Sequence, residues 1–92
     1  MQTKRWHITV AAARQYAQIT GLSEGDAVLA LGELSATARL ARDTGPGQVD
    51  QLWRANTDVR GRRSRLELIV SVSDAHELPQ LIHVRHKGRG GR

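Results

Sequence analysis

The chain has 92 residues, no cysteine, no phenylalanine and a net charge of +5. This length predicts one domain, and the lack of cysteine excludes disulfide bonds and thiolate metal sites. Its apolar runs are too short for a signal peptide or a membrane span, so we expect a cytoplasmic protein without a membrane partner.

The first predicted element is a short strand over residues 5–10. Its side chains alternate, and the apolar set on one side is Trp6, Ile8 and Val10. A period of two is typical of a strand that is buried on one face only.

Two helices are predicted next. Residues 11–19 show apolar side chains at helical spacing, and Gly21 stands where a C-terminal glycine cap is expected. Ser23, three residues before Asp26, has the pattern of a helix start. We expect this second helix to run to about Arg42.

Residues 43–47 contain two glycines and a proline and form the clearest break in the chain. Beyond it the apolar period becomes two, which predicts three strands, over residues 51–59, 64–73 and about 80–87. Their short connections favour an antiparallel meander. Residues 88–92 contain only Gly and Arg and are predicted to be a flexible basic tail on a domain of residues 1–87.

The predicted order is β-α-α-β-β-β, which places the chain in the α+β class. We expect an antiparallel sheet with both helices on one face and the charged residues on the other. Trp6, Tyr16 and Trp53 fall on the side that faces the helices, where we expect them to pack in the core.

All of the net positive charge lies in the last third of the chain. Residues 1–59 carry six basic and six acidic side chains, whereas residues 60–92 carry eight basic and three acidic ones. Such an uneven distribution attracts polyanions, so the leading expected partner is nucleic acid, with RNA favoured. An acidic protein is the alternative partner, and the small core favours a homo-oligomer.

Three regions carry a family resemblance. They are residues 8–14 (ITVAAAR), residues 21–31 (GLSEGDAVLAL), and residues 65–71 (RLELIVS) with 81–85 (LIHVR). In these the chain resembles the small toxins of the RelE type and their BrnT-like relatives. The resemblance implies a ribonuclease-like fold, with two helices on one side of an antiparallel sheet. It also implies cleavage of RNA and control by an acidic antitoxin.

One departure from that family concerns catalysis. Many relatives carry a histidine near the start of the first helix, where this chain has Ala11, Ala12 and Ala13. A protein without that side chain can keep the fold without the activity. The departure favours a non-catalytic protein that binds RNA or DNA on the same scaffold, such as a component of a phage, a plasmid or a ribonucleoprotein. A third hypothesis is a protein-interaction module, in which the sheet edge or the apolar helix surface docks a larger complex.

The last predicted strand carries the candidate catalytic residues. A metal-independent ribonuclease needs a base, an acid and cations; histidine suits proton transfer, and arginine suits charge stabilisation. His83 is the first candidate, with His7 or Glu67 as its acid–base partner and Arg85 as the charge stabiliser. The alternative is a solvated sheet face without catalysis.

Basic residues on the same predicted face, in the turn at residues 60–63 and in the tail are the candidate nucleic-acid contacts. They are Arg5, Arg54, Arg60, Arg62, Arg63, Arg65, Lys87, Arg89 and Arg92. The alternative for the turn is a solvated loop whose charge protects a sheet edge from aggregation.

No cofactor or nucleotide-binding motif is present, so no cofactor is expected. His76 lies beside Asp74 and Glu77, but three potential ligands without a thiol do not predict a metal site.

Overall fold

The computed structural model describes residues 5–44, 50–73 and 75–89, with residues 88 and 89 described by their backbone only. Within these ranges the chain forms two helices and five strands. In chain order they are β1 (His7–Ile8), α1 (Val10–Thr20), α2 (Glu24–Thr37), β2 (Arg39–Arg42), β3 (Asp50–Val59), β4 (Arg62–Ser71) and β5 (Gln80–Arg89).

The described strands form one sheet in the order β1-β5-β4-β3-β2. β3, β4 and β5 are an antiparallel meander, as predicted, and β2 pairs antiparallel with β3. β1 instead runs parallel to β5, so the sheet is mixed. The helices pack against the sheet, which confirms the predicted α+β class.

The helix ends follow the capping pattern of the sequence. Thr9 begins α1, and its Oγ1 accepts a hydrogen bond from the Ala12 N–H at 3.3 Å. Ser23 begins α2 in the same way, with its Oγ accepting from the Asp26 N–H at 3.1 Å. Gly21 ends α1 with a φ of 80°, a conformation that L-residues rarely adopt.

The core lies between the helices and the inner face of the sheet. Trp6 and Tyr16 are buried in it, and Trp53 packs against it, as predicted. The rings of Trp6 and Trp53 meet edge to face, with centroids 5.2 Å apart. The largest fully buried side chains are Trp6, Leu31, Leu66, Leu68, Leu81 and Val70.

The predicted end of α2 was wrong. The helix ends at Thr37, and Ala38 takes an extended conformation before β2. Continued helix would place Arg42, four residues after the buried Ala38, on the apolar face. As a strand, the same residues pair with β3 and keep their arginines in water.

Two side chains predicted to be apolar and inward-facing are not buried. Val10 is 59% exposed, because the strand ends at Ile8 and α1 begins. In β5, the alternation of residues 80–87 predicts Ile82 and Val84 on the inner face, but Leu81 is fully buried and Ile82 is half-buried. A register shift between the pairs made by Leu81 and His83 inserts one extra residue, which reverses the predicted alternation at that point.

The basic turn predicted at residues 60–63 is a two-residue connection between β3 and β4. Arg60 and Gly61 have φ values of 51° and 81°, which suit the tight turn of a twisted hairpin. Within the described residues, no helix is long and apolar enough to cross a membrane.

Candidate nucleic-acid interface

The sheet face opposite the helices, here called the open face, carries a strong excess of positive charge. Among the described residues, its cations are Arg39, Arg42, Arg54, Arg63, Arg65, Arg85 and Lys87. Its carboxylates are those of Asp50, Asp58 and Glu67. Seven cations against three carboxylates give a surface that attracts polyanions.

Four charged residues lie side by side across the open face. Strand pairing sets Arg39 opposite Arg54, Arg54 opposite Glu67, and Glu67 opposite Arg85. Because neighbouring strands are about 4.8 Å apart, this row spans roughly 14 Å. It presents three guanidinium groups with one carboxylate between them.

The carboxylate of Glu67 lies at the centre of an ion-pair cluster. Its Oε1 is 2.9 Å from Arg85 Nη2 and 3.8 Å from Lys87 Nζ, and its Oε2 is 3.9 Å from Arg54 Nε. The Glu67 side chain is 10% exposed, whereas the three cations are about half exposed. The carboxylate therefore lies beneath the cations, which offer their outer sides to solvent.

A groove of about 730 Å³ lies where the open face meets β2. Arg39, Arg54, Arg63 and Arg65 line it, together with the amide side chain of Asn56. Arg63 is 3.8 Å from the well-exposed Asp58, a loose ion pair. The groove joins the Glu67 cluster through Arg54, which belongs to both.

The two candidate catalytic histidines lie on the open face, on neighbouring strands. His83 is half-buried and lies opposite Ile69, one row from the Glu67–Arg85 pair. His7 pairs with Gln80, three residues before His83, so their Cα atoms are about 10 Å apart from strand geometry. His7 also lines a separate pocket beside the loop at residues 75–78.

Glu67 has surroundings that differ from those of a free acid–base group. Both of its carboxylate oxygens are within ion-pair distance of cations, and little of the side chain reaches the surface. The arrangement suits a group that orients Arg85 and Arg54 better than one that exchanges protons with a substrate.

Three of the predicted nucleic-acid contacts lie away from the open face. Arg5 donates from Nη1 to the Ala38 carbonyl at 2.7 Å and stacks over the Trp53 ring, 5.0 Å from its centroid. Arg60 donates to carbonyls at the end of α1. Arg62 pairs with Val59 on the face that carries the helices.

The C-terminal contacts are only partly described. β5 runs to Arg89, so the first two residues of the predicted tail belong to the strand. The side chain of Arg89 and all of Arg92 lie outside the described residues, as does Asp74.

Arg39 was not predicted as a member of the candidate interface. The helical interpretation of residues 38–42 concealed it, because the alternation needed to place Arg39 beside Arg54 belongs to a strand. The available signal was Arg42, which a continued helix would have put on the apolar stripe.

No group of three or more His, Asp or Glu side chains among the described residues is arranged to hold a metal ion. Comparison of the chain with models of protein families, with curated proteins and with solved structures gave no match.

Proposed function

We propose that this protein binds RNA through the open face of its sheet. The observation that carries the proposal is the row of Arg39, Arg54 and Arg85 across four strands, continued by the arginine groove. Arginine forms paired hydrogen bonds with phosphate oxygens, and its planar group stacks on bases.

A single strand suits this surface better than a duplex. The open face is broad and has no projecting helix, the element that commonly reads a DNA major groove. Single-stranded RNA exposes both phosphates and bases, so the row of guanidinium groups can contact both. No Phe, Tyr or Trp ring lies on the described part of the open face, which leaves base stacking to arginine and to the imidazoles of His7 and His83.

The proposal is tested by incubating the protein with labelled single-stranded RNA, without added metal, and measuring retardation and cleavage on one gel. Arg65→Gln should weaken binding, and Arg62→Gln, a matched change on the other face of β4, should not. The logarithm of the affinity should fall steeply with the logarithm of salt concentration. Equal loss in both variants, or equal affinity for polyglutamate, would refute an RNA-specific open face.

The second candidate function is a RelE-like, metal-independent endoribonuclease, favoured by His83 and Arg85 on adjacent rows of one face. His83 would remove the proton of a 2′-hydroxyl, whose oxygen attacks the neighbouring phosphorus. The bond to the 5′-oxygen breaks, and His7 supplies the proton for that oxygen. Arg85 would stabilise the negative charge of the phosphorane. The products are a 2′,3′-cyclic phosphate and a 5′-hydroxyl.

Cleavage is tested with His83→Ala and with His86→Ala as the matched control, since His86 alternates onto the opposite face of β5. Under this hypothesis, the first variant loses cleavage and keeps binding, and the second keeps both. Expression of the wild-type chain should arrest growth unless an acidic protein covers the open face. RNA that is retarded but intact in every lane would refute the ribonuclease hypothesis and support a protein that binds RNA without cleaving it.

A further inference from the structure

The cations of the open face differ in whether a carboxylate neutralises their charge. Arg85 and Lys87 share the Glu67 carboxylate. Arg39 and Arg65, by contrast, form no ion pair in the part of the chain that the structure describes. Outside that part, only Asp74 has a carboxylate side chain.

The groove also sets two arginines directly opposite each other. Arg39 pairs with Arg54 across β2 and β3, although like charges in directly opposed positions repel. The nearest compensation, from Glu67, reaches Arg54 at 3.9 Å and lies on the far side from Arg39. An anion bound between Arg39 and Arg65 would relieve this repulsion.

We infer that the groove around Arg39 and Arg65 is the anchoring site for a phosphodiester of the bound strand, and that a phosphate binds there more strongly than at the Glu67 cluster. The inference rests on the proposed function, because it assigns the strongest phosphate contact within the open face. Its physical basis is that a phosphate at Arg85 or Lys87 must share those cations with Glu67, whereas a phosphate in the groove meets two cations without a carboxylate partner, Arg39 and Arg65.

The test compares two double variants that remove equal charge from the same face, Arg39→Gln with Arg65→Gln and Arg85→Gln with Lys87→Gln. Each is titrated with a labelled single-stranded RNA at several salt concentrations. We expect the groove variant to bind about tenfold more weakly, with the log–log salt slope lowered by about 1.4 for two lost contacts. The Glu67-cluster variant should lose clearly less affinity and less slope.

Equal losses in the two variants, or a larger loss in the Glu67-cluster variant, would overturn the inference and leave the proposed function intact. If the wild-type chain binds no RNA, the proposed function fails first. Circular dichroism and thermal unfolding of each variant identify any change that reflects folding instead of contact.

Tripolyphosphate supplies a second test that does not depend on RNA. It should raise the melting temperature of the wild-type protein and of the Glu67-cluster variant, because it screens the Arg39–Arg54 repulsion. The groove variant should show little shift. Equal shifts in all three proteins would show that the groove is not a preferred phosphate site.

Discussion

Arg60 of the β3–β4 turn donates from Nε to the carbonyl oxygen of Ile19 at 3.0 Å, and so connects the hairpin to the end of α1. Its Nη2 lies 3.4 Å from the Gln18 carbonyl. The last carbonyls of a helix have no partners within the helix and carry partial negative charge, which a cation stabilises. A residue predicted to contact phosphate is thus a helix cap.

Replacing Arg60 by Asn should lower the free energy of unfolding by about 1 kcal/mol, because the cap is lost. Asn tolerates the left-handed conformation that Arg60 adopts at φ 51°, so the backbone of the turn is kept. Chemical denaturation measures the loss. RNA affinity should fall less than in Arg65→Gln; a larger fall would show that Arg60 leaves the helix to contact RNA.

Gly21→Ala should destabilise the protein by about 1–2 kcal/mol, because alanine is strained at a φ of 80°. The new Cβ would also lie 3.2 Å from Arg60 Nη2. Gly25→Ala is the control: it lies in α2, no atom crowds its Cβ position, and helix propensity should make it neutral or stabilising. The melting temperature should fall clearly in Gly21→Ala and should stay the same or rise in Gly25→Ala. Equal changes in the two variants would contradict a left-handed cap at Gly21.

Leu68→Ala should lower the free energy of unfolding by about 2–5 kcal/mol, since Leu68 is fully buried in β4, the central strand of the sheet. Leu29→Ala, which removes the same atoms from a side chain 60% exposed on α2, should cost well under 1 kcal/mol. Urea denaturation followed by circular dichroism distinguishes the two. A small effect at Leu68 would mean that the core relaxes around the lost side chain.

Stability should fall at alkaline pH in a way that depends on Tyr16. Burial raises the pKa of its hydroxyl above the ordinary value of 10.0, although a hydrogen bond with Thr57 opposes the change. Well below pH 10.0 the hydroxyl is protonated in both states, so the contribution of Tyr16 to stability is fully present. As the pH rises further, the unfolded chain ionises first, so stability is lost by at most about 1.4 kcal/mol per pH unit.

Tyr16→Phe isolates this contribution, because Phe does not titrate. The difference in unfolding free energy between wild type and variant should be constant from pH 7 to 9 and should shrink above pH 10, as the wild type loses stability. Parallel curves over the whole range would show that Tyr16 ionises equally in both states.

The local sequence pattern was enough to predict most of the helices and strands. Ser23 and Gly21 mark helix ends whose caps depend on neighbouring residues only, and the alternation of residues 64–71 set the faces of β4. The prediction of α2 beyond Thr37 was wrong because residues 39–42 form a strand only by pairing with β3. That partner lies ten to fifteen residues further along the chain, and the local sign of it was a charged residue, Arg42, on the apolar stripe of the predicted helix.

Prediction of the candidate site was likewise limited to what the local sequence pattern can show. Alternation correctly placed Arg54, Arg65, Glu67 and Arg85 on one face, but their order across it depends on register. Arg60 shows the other limit: its charge suggested phosphate, and only the tertiary fold shows that the carbonyl of Ile19 takes its hydrogen bond. Net charge predicted a surface that attracts polyanions but assigned no role to any single cation.

The parallel pairing of β1 with β5 bears on the order of folding events. Thr9 bonds the Leu81 carbonyl through both its N–H, at 3.2 Å, and its Oγ1, at 2.8 Å, across 72 residues of sequence. Closing so long a loop costs more chain entropy than forming the β3–β4 hairpin. We therefore expect β1 to dock after the transition state, so that Ile8→Val, which changes β1 and keeps the Thr9 cap of α1, speeds unfolding and leaves the folding rate nearly unchanged.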